Sequence, residues 1–364
     1  MFISLAAFLF LVIVGHYFAW RLVRALGQWW ESKRKLILVV FIGVTLIFLG
    51  SFMWLQRSES VWLAGLYVAA ALLFGLLSQL MLLGLIFWLT QLSAHLPLAT
   101  WSKLVSSRRS LLARSLTGLA LLLFLLGTYN AFFPRVKTIV LSGWPESVRG
   151  RSFVQLSDLH LGAVYRPVWL ERIATQVNGL APDFIIISGD LFDGSDETLS
   201  EFIPALQSFQ APTILVPGNH DYYVPGAAVA EATASGDIIT LSDAAAEFSG
   251  IEVVGLNYVG RDHSHLRREI TDLQTTANAR IAVNHVPVDQ AEAKSLSARL
   301  MLSGHAHRGQ IFPFSIVTSW LYGSFAYGLE DYEGMLTYTS AGTGTWGPPL
   351  RTLWPGEIIR FVIE

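Results

Sequence analysis

Aspartate, asparagine and histidine side chains recur in five short motifs of the 364-residue chain. The motifs are SDLH at 157–160, GDLFD at 189–193, PGNHD at 217–221, the lone His285, and GHAH at 304–307. Mixed carboxylate, amide and imidazole donors suit hard and borderline divalent cations. The chain has no cysteine, so thiolate ligands and disulfides are excluded. The motifs therefore indicate a metal site built from oxygen and nitrogen donors.

Each motif stands at the end of a short apolar run that we predict to be a β-strand. These strands cover residues 153–156, 184–188, 213–216, 280–284 and 300–303, and a sixth covers 251–255. Helix-like segments separate several of them, at 167–178, 197–209 and 227–235. This alternation is typical of an α/β domain with buried sheets. Ligands of open α/β sheets bind beyond the carboxyl ends of the strands, so the motifs are expected to converge on one pocket.

Taken singly, each motif has a simpler explanation. Asp and Asn residues after a strand commonly form Asx turns, and the PGNHD segment is compatible with a helix-capping turn. Turns alone do not readily explain five such motifs at five strand ends. We therefore favour a shared metal centre.

The first 134 residues are more apolar than a soluble domain. Over the whole chain 52% of residues are hydrophobic and only 14% are charged, whereas roughly 45–50% of residues are apolar in soluble domains, glycine included. Apolar runs cover 3–20, 36–55, 61–89 and 116–133. Each is long enough to cross the hydrocarbon core of a bilayer, which takes about 20 residues of helix. We predict a four-helix transmembrane anchor over 1–134, a linker over 135–150, and an α/β domain over 151–364.

Charge distribution predicts the orientation of these helices and excludes one class of partner. Nine cations fall in the loops after the first and third spans: Arg21, Arg24, Lys33, Arg34, Lys35, Lys103, Arg108, Arg109 and Arg114. We expect the protein to lie in the inner membrane of the cell. The positive-inside bias then puts these loops in the cytoplasm, so the α/β domain is expected on the extracytoplasmic side. The net charge of −2 argues against binding to a nucleic-acid duplex.

In their order and spacing, the five motifs resemble those of the calcineurin-like metallophosphoesterases. The resemblance covers about residues 150–364 and implies a two-sheet βαββ sandwich with two divalent metal ions between the sheets. The implied ligands of one ion are Asp158, His160, Asp190 and His307. The second ion would share Asp190 and add Asn219, His285 and His305.

The same resemblance implies roles for two further residues and a reaction. His220 would stabilise the phosphoryl oxygens or protonate the leaving group, and Asp193 would orient His220. A metal-bound hydroxide would attack phosphorus in line with the leaving oxygen. Phosphoprotein phosphatases of the family carry Arg-Gly after the second Asp of the GD motif, whereas Gly194 and Ser195 follow Asp193 here, which disfavours a phosphoserine substrate.

Two segments narrow the resemblance. SDLHLG at 157–162 and GTGTWGPP at 342–349 are most similar to a membrane-associated bacterial branch that includes phosphodiesterases and UDP-2,3-diacylglucosamine pyrophosphatases. This implies hydrolysis of a phosphodiester or pyrophosphate bond, and we favour a lipid-linked substrate, which a membrane-facing lid at 311–329 would admit. One alternative is an enzyme for soluble nucleotides or phosphate esters. Another is an inactive membrane scaffold or transporter-associated domain, against which the intact set of implied ligands argues.

Several features leave alternatives open. Asp221 is interpreted as a structural turn residue. Arg308 could bind a second phosphate as a bidentate donor or form a surface salt bridge. The charge-free aromatic stretch 311–329 could be a core strand with a loop, or a membrane-facing lid that admits an acyl chain. His263 and His265 lie in a polar loop and are expected to be solvated.

Overall fold

The computed structural model describes residues 2–55, 57–58, 60–95, 99–258 and 278–364, and the side chains of residues 2–9, 99 and 196 are also outside the description. His263 and His265 therefore lie outside the described residues. The N-terminal part is helical. Its helices are α1 (Phe2–Arg24), α2 (Gln28–Ser32), α3 (Arg34–Leu55), α4 (Val61–Ser93), α5 (Ala99–Ser107) and α6 (Arg109–Phe132).

Within the described part, three helices are long and apolar enough to cross a membrane, where the sequence predicts four. They are α3, α4 and α6. The remaining predicted span, 3–20, coincides with α1, whose first residues have side chains outside the described part. The 33-residue α4 contacts α1, α3 and α6 and is the centre of the helical part.

Close backbone approach and one polar link join these helices. A Cβ atom at Gly84 of α4 would lie 2.4 Å from the carbonyl oxygen of Phe18 in α1, so only glycine allows this approach. His16 of α1 links to α3, since its Nε2 lies 3.0 Å from the Thr45 hydroxyl and 3.2 Å from the Phe41 carbonyl oxygen. Helix packing is therefore the role that these contacts support for His16.

The described residues of the C-terminal part form twelve strands in two six-stranded sheets. The strands are β1 (Arg135–Leu141), β2 (Ser152–Leu156), β3 (Phe184–Ile187), β4 (Thr213–Leu215), β5 (Ile238–Thr240), β6 (Ala244–Phe248), β7 (Ile251–Gly255), β8 (Arg280–Val283), β9 (Leu300–Ser303), β10 (Gly328–Tyr332), β11 (Met335–Thr339) and β12 (Glu357–Ile363). One sheet has the order β1-β12-β2-β3-β4-β5 and the other β10-β11-β9-β8-β7-β6. The predicted α/β fold with two sheets is confirmed, and all six predicted strands are present.

One apolar core lies between the two sheets, and a second lies between the first sheet and the helices that pack on its other face. Phe153 and Phe184 stack between the sheets with ring centroids 5.2 Å apart, in a cluster that also includes residues of β7, β8 and β9. The other face of the first sheet packs on α7 (Pro167–Asn178), α8 (Ile203–Leu206) and α9 (Gly226–Ser235). The predicted helix at 167–178 matches α7, whereas most of the predicted helix at 197–209 is a 3₁₀ segment followed by the short α8. On the second sheet lies α10 (Gln290–Ser295).

Two segments differ from the sequence-based expectations. The range 135–150, predicted as a linker, begins with β1, which pairs in parallel with β12 at the edge of the first sheet. Its exposed Arg135 and Lys137 obscure the strand pattern and are typical of an edge strand. The core-strand interpretation of 311–329 is wrong, because the middle of the stretch forms α11 (Phe314–Tyr322), a nine-residue helix without a single buried residue. An apolar run of this length is compatible with either a strand or a helix, and here it is a surface helix.

Candidate metal centre

The five motifs follow strands that lie side by side in the two sheets. β2, β3 and β4 are adjacent and parallel in the first sheet, and β8 and β9 are adjacent and parallel in the second. Their carboxyl ends therefore meet at neighbouring edges. A direct contact joins the two edges, since the backbone N–H of His305 donates to Asp158 Oδ1 at 3.0 Å.

Five of the seven predicted metal ligands have a left-handed backbone. The angle φ is +52° at Asp158, +46° at His160, +54° at Asp190, +64° at His305 and +48° at His307. Residues other than glycine rarely adopt this conformation, which costs on the order of 1–3 kcal/mol and is concentrated at functional sites. The loops after the strands are therefore held in a shape that their own conformational preferences do not favour.

Two glycines allow the loops to approach each other. A Cβ at Gly304 would lie 1.9 Å from Ser157 Oγ and 2.5 Å from Asp158 Oδ2. A Cβ at Gly218 would lie 2.3 Å from Asp190 Oδ1. Such distances are far below van der Waals contact, so the first residue of GHAH and the glycine of PGNHD are needed for the observed geometry.

Asp158, His160 and His307 form the first cluster of donors, whose ligand atoms lie within 4.8 Å of one another. His160 Nε2 is 3.2 Å from His307 Nε2, which is in turn 3.2 Å from Asp158 Oδ1. The side chains of Asp158 and His160 are buried and that of His307 is 12% exposed. Two imidazole nitrogens and a carboxylate oxygen around one point form a donor set that a divalent cation could use.

Asp190, His285 and His305 form the second cluster. His285 Nε2 lies 3.1 Å from Asp190 Oδ2, while its Nδ1 lies 2.8 Å from the Ser188 carbonyl oxygen and can donate to it. A bond of this kind fixes the ring and leaves the other nitrogen for a ligand. The amide oxygen of Asn219 lies 2.9 Å from His305 Nδ1, which adds a fourth donor to this cluster.

Asp190 lies between the two clusters. Its Oδ2 is 3.8 Å from His160 Nε2 of the first cluster and 3.1 Å from His285 Nε2 of the second. Its Oδ1 accepts from the backbone N–H of His220 at 2.8 Å. The structure thus gives Asp190 the position that a carboxylate shared by two cations would have.

The acids of both clusters remain ionised despite their burial. Burial alone would raise the pKa of Asp158, but the imidazole of His307 holds that pKa well below its usual value. Burial likewise would raise the pKa of Asp190, and the neighbouring His285 lowers it instead. Two buried carboxylates in such proximity concentrate negative charge, which positive charge must balance.

The histidines respond to this environment in opposite directions. Burial lowers the pKa of His160 to about 3 and that of His305 to about 4, so both rings present free lone pairs at neutral pH. Burial would also lower the pKa of His285, but the charge of Asp190 raises it to about 10. A positive charge is thus strongly stabilised beside Asp190.

Three buried ring nitrogens have no hydrogen-bond partner among the described residues. They are His160 Nδ1, His285 Nε2 and His307 Nδ1. A buried nitrogen without a partner is costly and calls for an explanation. His285 Nε2 points toward Asp190, where a cation would satisfy both groups. The donor chemistry and charge of the two clusters therefore fit two divalent cations that share Asp190.

His220 and Asp193 lie beside the first cluster. His220 Nδ1 is 3.3 Å from Asp193 Oδ1, and its ring is 4.7 Å from the ring of His160. Burial would lower the pKa of His220, but the bond to Asp193 and its charge raise it. Asp193 Oδ2 also lies 3.9 Å from His160 Nδ1, so this carboxylate is placed between the two rings.

Two residues of the centre have more contacts than the sequence suggests. Asp221, interpreted as a turn residue, accepts from four backbone N–H groups in two motif loops. The fully buried guanidinium of Arg351 donates to the carbonyl oxygens of Gly342, Gly344 and His307. Arg351 lies just beyond the GTGTWGPP segment and carries no motif signal of its own, so only the long-range contact reveals its role.

Arg308 follows His307 directly and packs between two aromatic rings. Its guanidinium lies 3.9 Å from the ring centroids of both Tyr327 and Trp354. Stacking of this kind holds the cation in place.

A cavity opens beside the first cluster, and the long apolar helices form part of its wall. Phe52 and Leu55 of α3 and Tyr67 of α4 line it together with His160 and Asp193. Trp346 stands near this cavity, since its ring is 5.8 Å from that of His220 and 5.9 Å from that of Phe52. No sequence signal distinguishes Phe52, Leu55 or Tyr67 from other apolar residues of the helices.

Comparisons with known proteins agree on a phosphoesterase description. The description of the calcineurin-like phosphoesterase family matches residues 151–309. An uncharacterized metallophosphoesterase of Campylobacter jejuni is 33% identical over 235 residues, which cover 62% of this chain and 62% of that protein. An uncharacterized metallophosphoesterase of Helicobacter pylori is 32% identical over 213 residues, covering 56% of this chain and 57% of that protein.

The name of a third relative combines this domain with the word transmembrane. A transmembrane protein with metallophosphoesterase domain from Danio rerio is 30% identical over 261 residues, covering 60% of this chain and 54% of that protein. The chain thus spans less than two thirds of the length of these three relatives. The family match contains every residue of the two donor clusters. The chain therefore carries a calcineurin-like metallophosphoesterase domain.

Proposed function

We propose that this protein is a membrane-anchored, binuclear metal-dependent phosphoesterase that cleaves a phosphodiester or pyrophosphate bond of a lipid-linked substrate. Asp158, His160 and His307 would hold one ion and share Asp190 with the other. Asn219, His285 and His305 would complete the second site. When bound, the two cations supply an activated water and Lewis-acid stabilisation of the phosphoryl oxygens.

The protein's own side chains would position the reacting groups around this centre. His220 is held by Asp193 at 3.3 Å, with its ring facing that of His160. In this position it would donate a hydrogen bond to a phosphoryl oxygen or a proton to the leaving oxygen. Trp346 would cover one side of the phosphate and limit the access of bulk water, because its ring lies near that of His220.

The observation that carries the lipid-linked part is the wall of the cavity. His160 and Asp193 line one side, whereas Phe52, Leu55 and Tyr67 from the apolar helices line the other. A soluble phosphate ester would gain little from such a wall. A lipid-linked phosphate could place its phosphoryl group at the donor clusters and its apolar part along α3 and α4, where burial of each CH₂ contributes about 0.8 kcal/mol.

The helix ends support an extracytoplasmic domain. The end of α3, the beginning of α4 and the end of α6 lie on the side of the metallophosphoesterase domain, as the cavity contacts and the direct continuation of α6 into β1 show. The nine loop cations lie at the opposite helix ends. With α1 as a fourth span, the positive-inside bias puts that opposite side in the cytoplasm of an inner membrane.

The catalytic part is tested with the full-length protein, Mn²⁺ and bis(p-nitrophenyl) phosphate. Asp190→Asn removes the shared carboxylate, so we expect both bound metal and hydrolysis to be lost. The matched control is Asp331→Asn, at an exposed turn on β10. Hydrolysis by Asp190→Asn at the wild-type rate would contradict a shared metal ligand.

The substrate class is tested with CDP-diacylglycerol and its soluble counterpart CDP-glycerol. We expect a higher kcat/KM for the lipid than for CDP-glycerol. We also expect Leu55→Gln to raise the KM for the lipid at least about tenfold, because a polar side chain would be buried against the acyl chain of the substrate. Met53→Gln is the control, since Met53 is 67% exposed on the same helix. Equal kcat/KM values for both compounds in the wild type would favour the alternative, an enzyme for soluble nucleotides or phosphate esters.

A further inference from the structure

Helix α11 has its apolar and polar faces reversed. The half-buried positions are Ser315, Thr318 and Tyr322, which are polar and lie on one helical face. The exposed positions include Ile316 at 62% and Trp320 at 82%, and the helix has no buried residue. A helix on the surface of a soluble domain turns its apolar face to the core. Here that face points away from the protein.

The exposed apolar side chains come from α11 and from Phe312 just before it, and the spacing of those in α11 puts them on one side of the helix. They are Phe312, Phe314, Ile316, Val317, Trp320 and Leu321, which we call the α11 surface. Residues 311–329 carry no charge. A large exposed apolar surface of this kind marks a contact with lipid or with another protein.

The segment just before α11 is linked to the apolar helices through one loop. Gln310, four residues before the helix, donates from Nε2 to the carbonyl oxygens of Trp346 and Pro348 at 2.9 and 3.0 Å. The loop that contains these residues packs on the helices, since the Trp346 ring contacts Phe52 and the Gly347 carbonyl accepts from the Tyr67 hydroxyl.

The second end of α11 lies at the metal centre. The ring of Tyr322 packs against the ring of His305 with centroids 6.2 Å apart. The segment from Gln310 to Tyr322 therefore runs from the loop that packs on α3 and α4 to the donor clusters, and it carries the α11 surface between them.

Two cations lie against Tyr327, which belongs to the same charge-free stretch as α11. The guanidinium of Arg308 and the ammonium of Lys137 both lie over the ring of Tyr327, at 3.9 and 5.3 Å from its centroid. Lys137 belongs to β1, which begins three residues after α6 ends. Basic residues next to an aromatic, charge-free surface are the composition of a helix that lies in the interface of a bilayer.

We infer that α11 lies in the headgroup region of a phospholipid bilayer, with the α11 surface inserted between the lipids. The helix would fix the orientation of the metallophosphoesterase domain and bring the entrance of the metal centre to the lipid surface. The inference rests on the membrane-anchoring part of the proposed function and does not depend on catalysis.

The absence of cysteine in the chain allows a direct test. Single cysteines at Ile316 and Trp320 in the full-length protein would carry a nitroxide label, and the protein would be reconstituted in vesicles of phosphatidylcholine and phosphatidylglycerol. We expect collisions with a water-soluble nickel reagent to be about threefold or more rarer at both positions than at Glu146→Cys. The Glu146 side chain is 77% exposed and lies beyond the far end of β1 from α6.

A label at Leu46→Cys separates failure of the inference from failure of membrane anchoring. Leu46 is 64% exposed in the middle of α3 and should collide with oxygen rather than nickel. If Leu46 is in lipid while positions 316 and 320 are as accessible to nickel as position 146, the inference is overturned. If the label at position 46 is accessible to nickel, both the inference and the proposed membrane anchoring are overturned. Spin-spin broadening at position 320 would show that a second copy covers the α11 surface, which also overturns the inference.

Discussion

The carboxylate of Asp221 accepts hydrogen bonds from the backbone of the loop that carries Asp190. Asp221 Oδ2 accepts from the N–H of Asp190 at 2.9 Å and from that of Gly218 at 2.8 Å. Its Oδ1 accepts from the N–H groups of Leu191 and Phe192. One buried side chain therefore fixes the left-handed turn that aims Asp190 at both donor clusters.

We expect Asp221→Asn to reduce metal binding more than its distance from the donors suggests. An amide supplies only one acceptor oxygen, so its NH₂ group would face two backbone N–H donors that remain unsatisfied. Each buried donor without a partner costs about 1–3 kcal/mol. Metal per chain, measured by mass spectrometry after dialysis, should fall together with thermal stability. Asp331→Asn, which affects a single bond in an exposed turn, should leave both unchanged. Full occupancy in Asp221→Asn would rule out this positioning role.

Gly304→Ala should disrupt the first donor cluster. Its methyl group would overlap Ser157 Oγ and Asp158 Oδ2, so we expect it to displace the Asp158 carboxylate. We therefore expect loss of metal and hydrolysis with a folded domain, as judged by circular dichroism. Gly226→Ala serves as the control, since a Cβ there has nothing within 4 Å. Normal metal content in Gly304→Ala would mean that the loop shifts without involving Asp158.

Removal of metal should lower the stability of the metallophosphoesterase domain. Asp158 and Asp190 are buried carboxylates whose charges would then be balanced only by neighbouring imidazoles. A ligand that binds only the folded state stabilises it by about 2.7 kcal/mol at a concentration of 100 Kd. The thermal midpoint after EDTA treatment should therefore rise with added Mn²⁺ in the wild type, and much less in Asp190→Asn. A midpoint that does not respond to Mn²⁺ in the wild type would argue against metal binding by the folded protein.

The placement of the motifs followed from local sequence, whereas their supporting contacts did not. Asp158 and His285 directly follow apolar strands, and parallel strands bring such ends together whatever the rest of the fold. Asp221 and Arg351 act on backbone groups that are distant in sequence or in irregular loops. Residue type alone does not reveal such partners, so Asp221 was interpreted only as a turn residue.

Surface elements were the least predictable part of the fold. β1 carries Arg135 and Lys137 on an edge strand, where solvent exposure removes the apolar alternation that identifies a strand. Helix α11 misleads in the opposite direction, because its apolar residues are exposed. An apolar run within a domain predicts that its side chains avoid water. The sequence does not distinguish burial in the protein core from contact with lipid or with another protein.

Gly84 offers a test of the helical part that is independent of the metal centre. A Cβ at this position would lie 2.4 Å from the Phe18 carbonyl oxygen and 2.9 Å from the Ala19 nitrogen, which are backbone atoms of α1 and unable to yield alone. Gly84→Ala must therefore push α1 away from α4, and overpacking of this kind costs about 1–3 kcal/mol. At Gly118 of α6 a Cβ meets nothing within 4 Å, so Gly118→Ala should be neutral or slightly stabilising through the higher helix propensity of alanine. We expect the thermal midpoint of the detergent-solubilised full chain to fall for Gly84→Ala and not for Gly118→Ala. The midpoint would be measured as the onset of aggregation on heating. Equal midpoints for the two variants would show that the close approach of α1 and α4 does not contribute to stability.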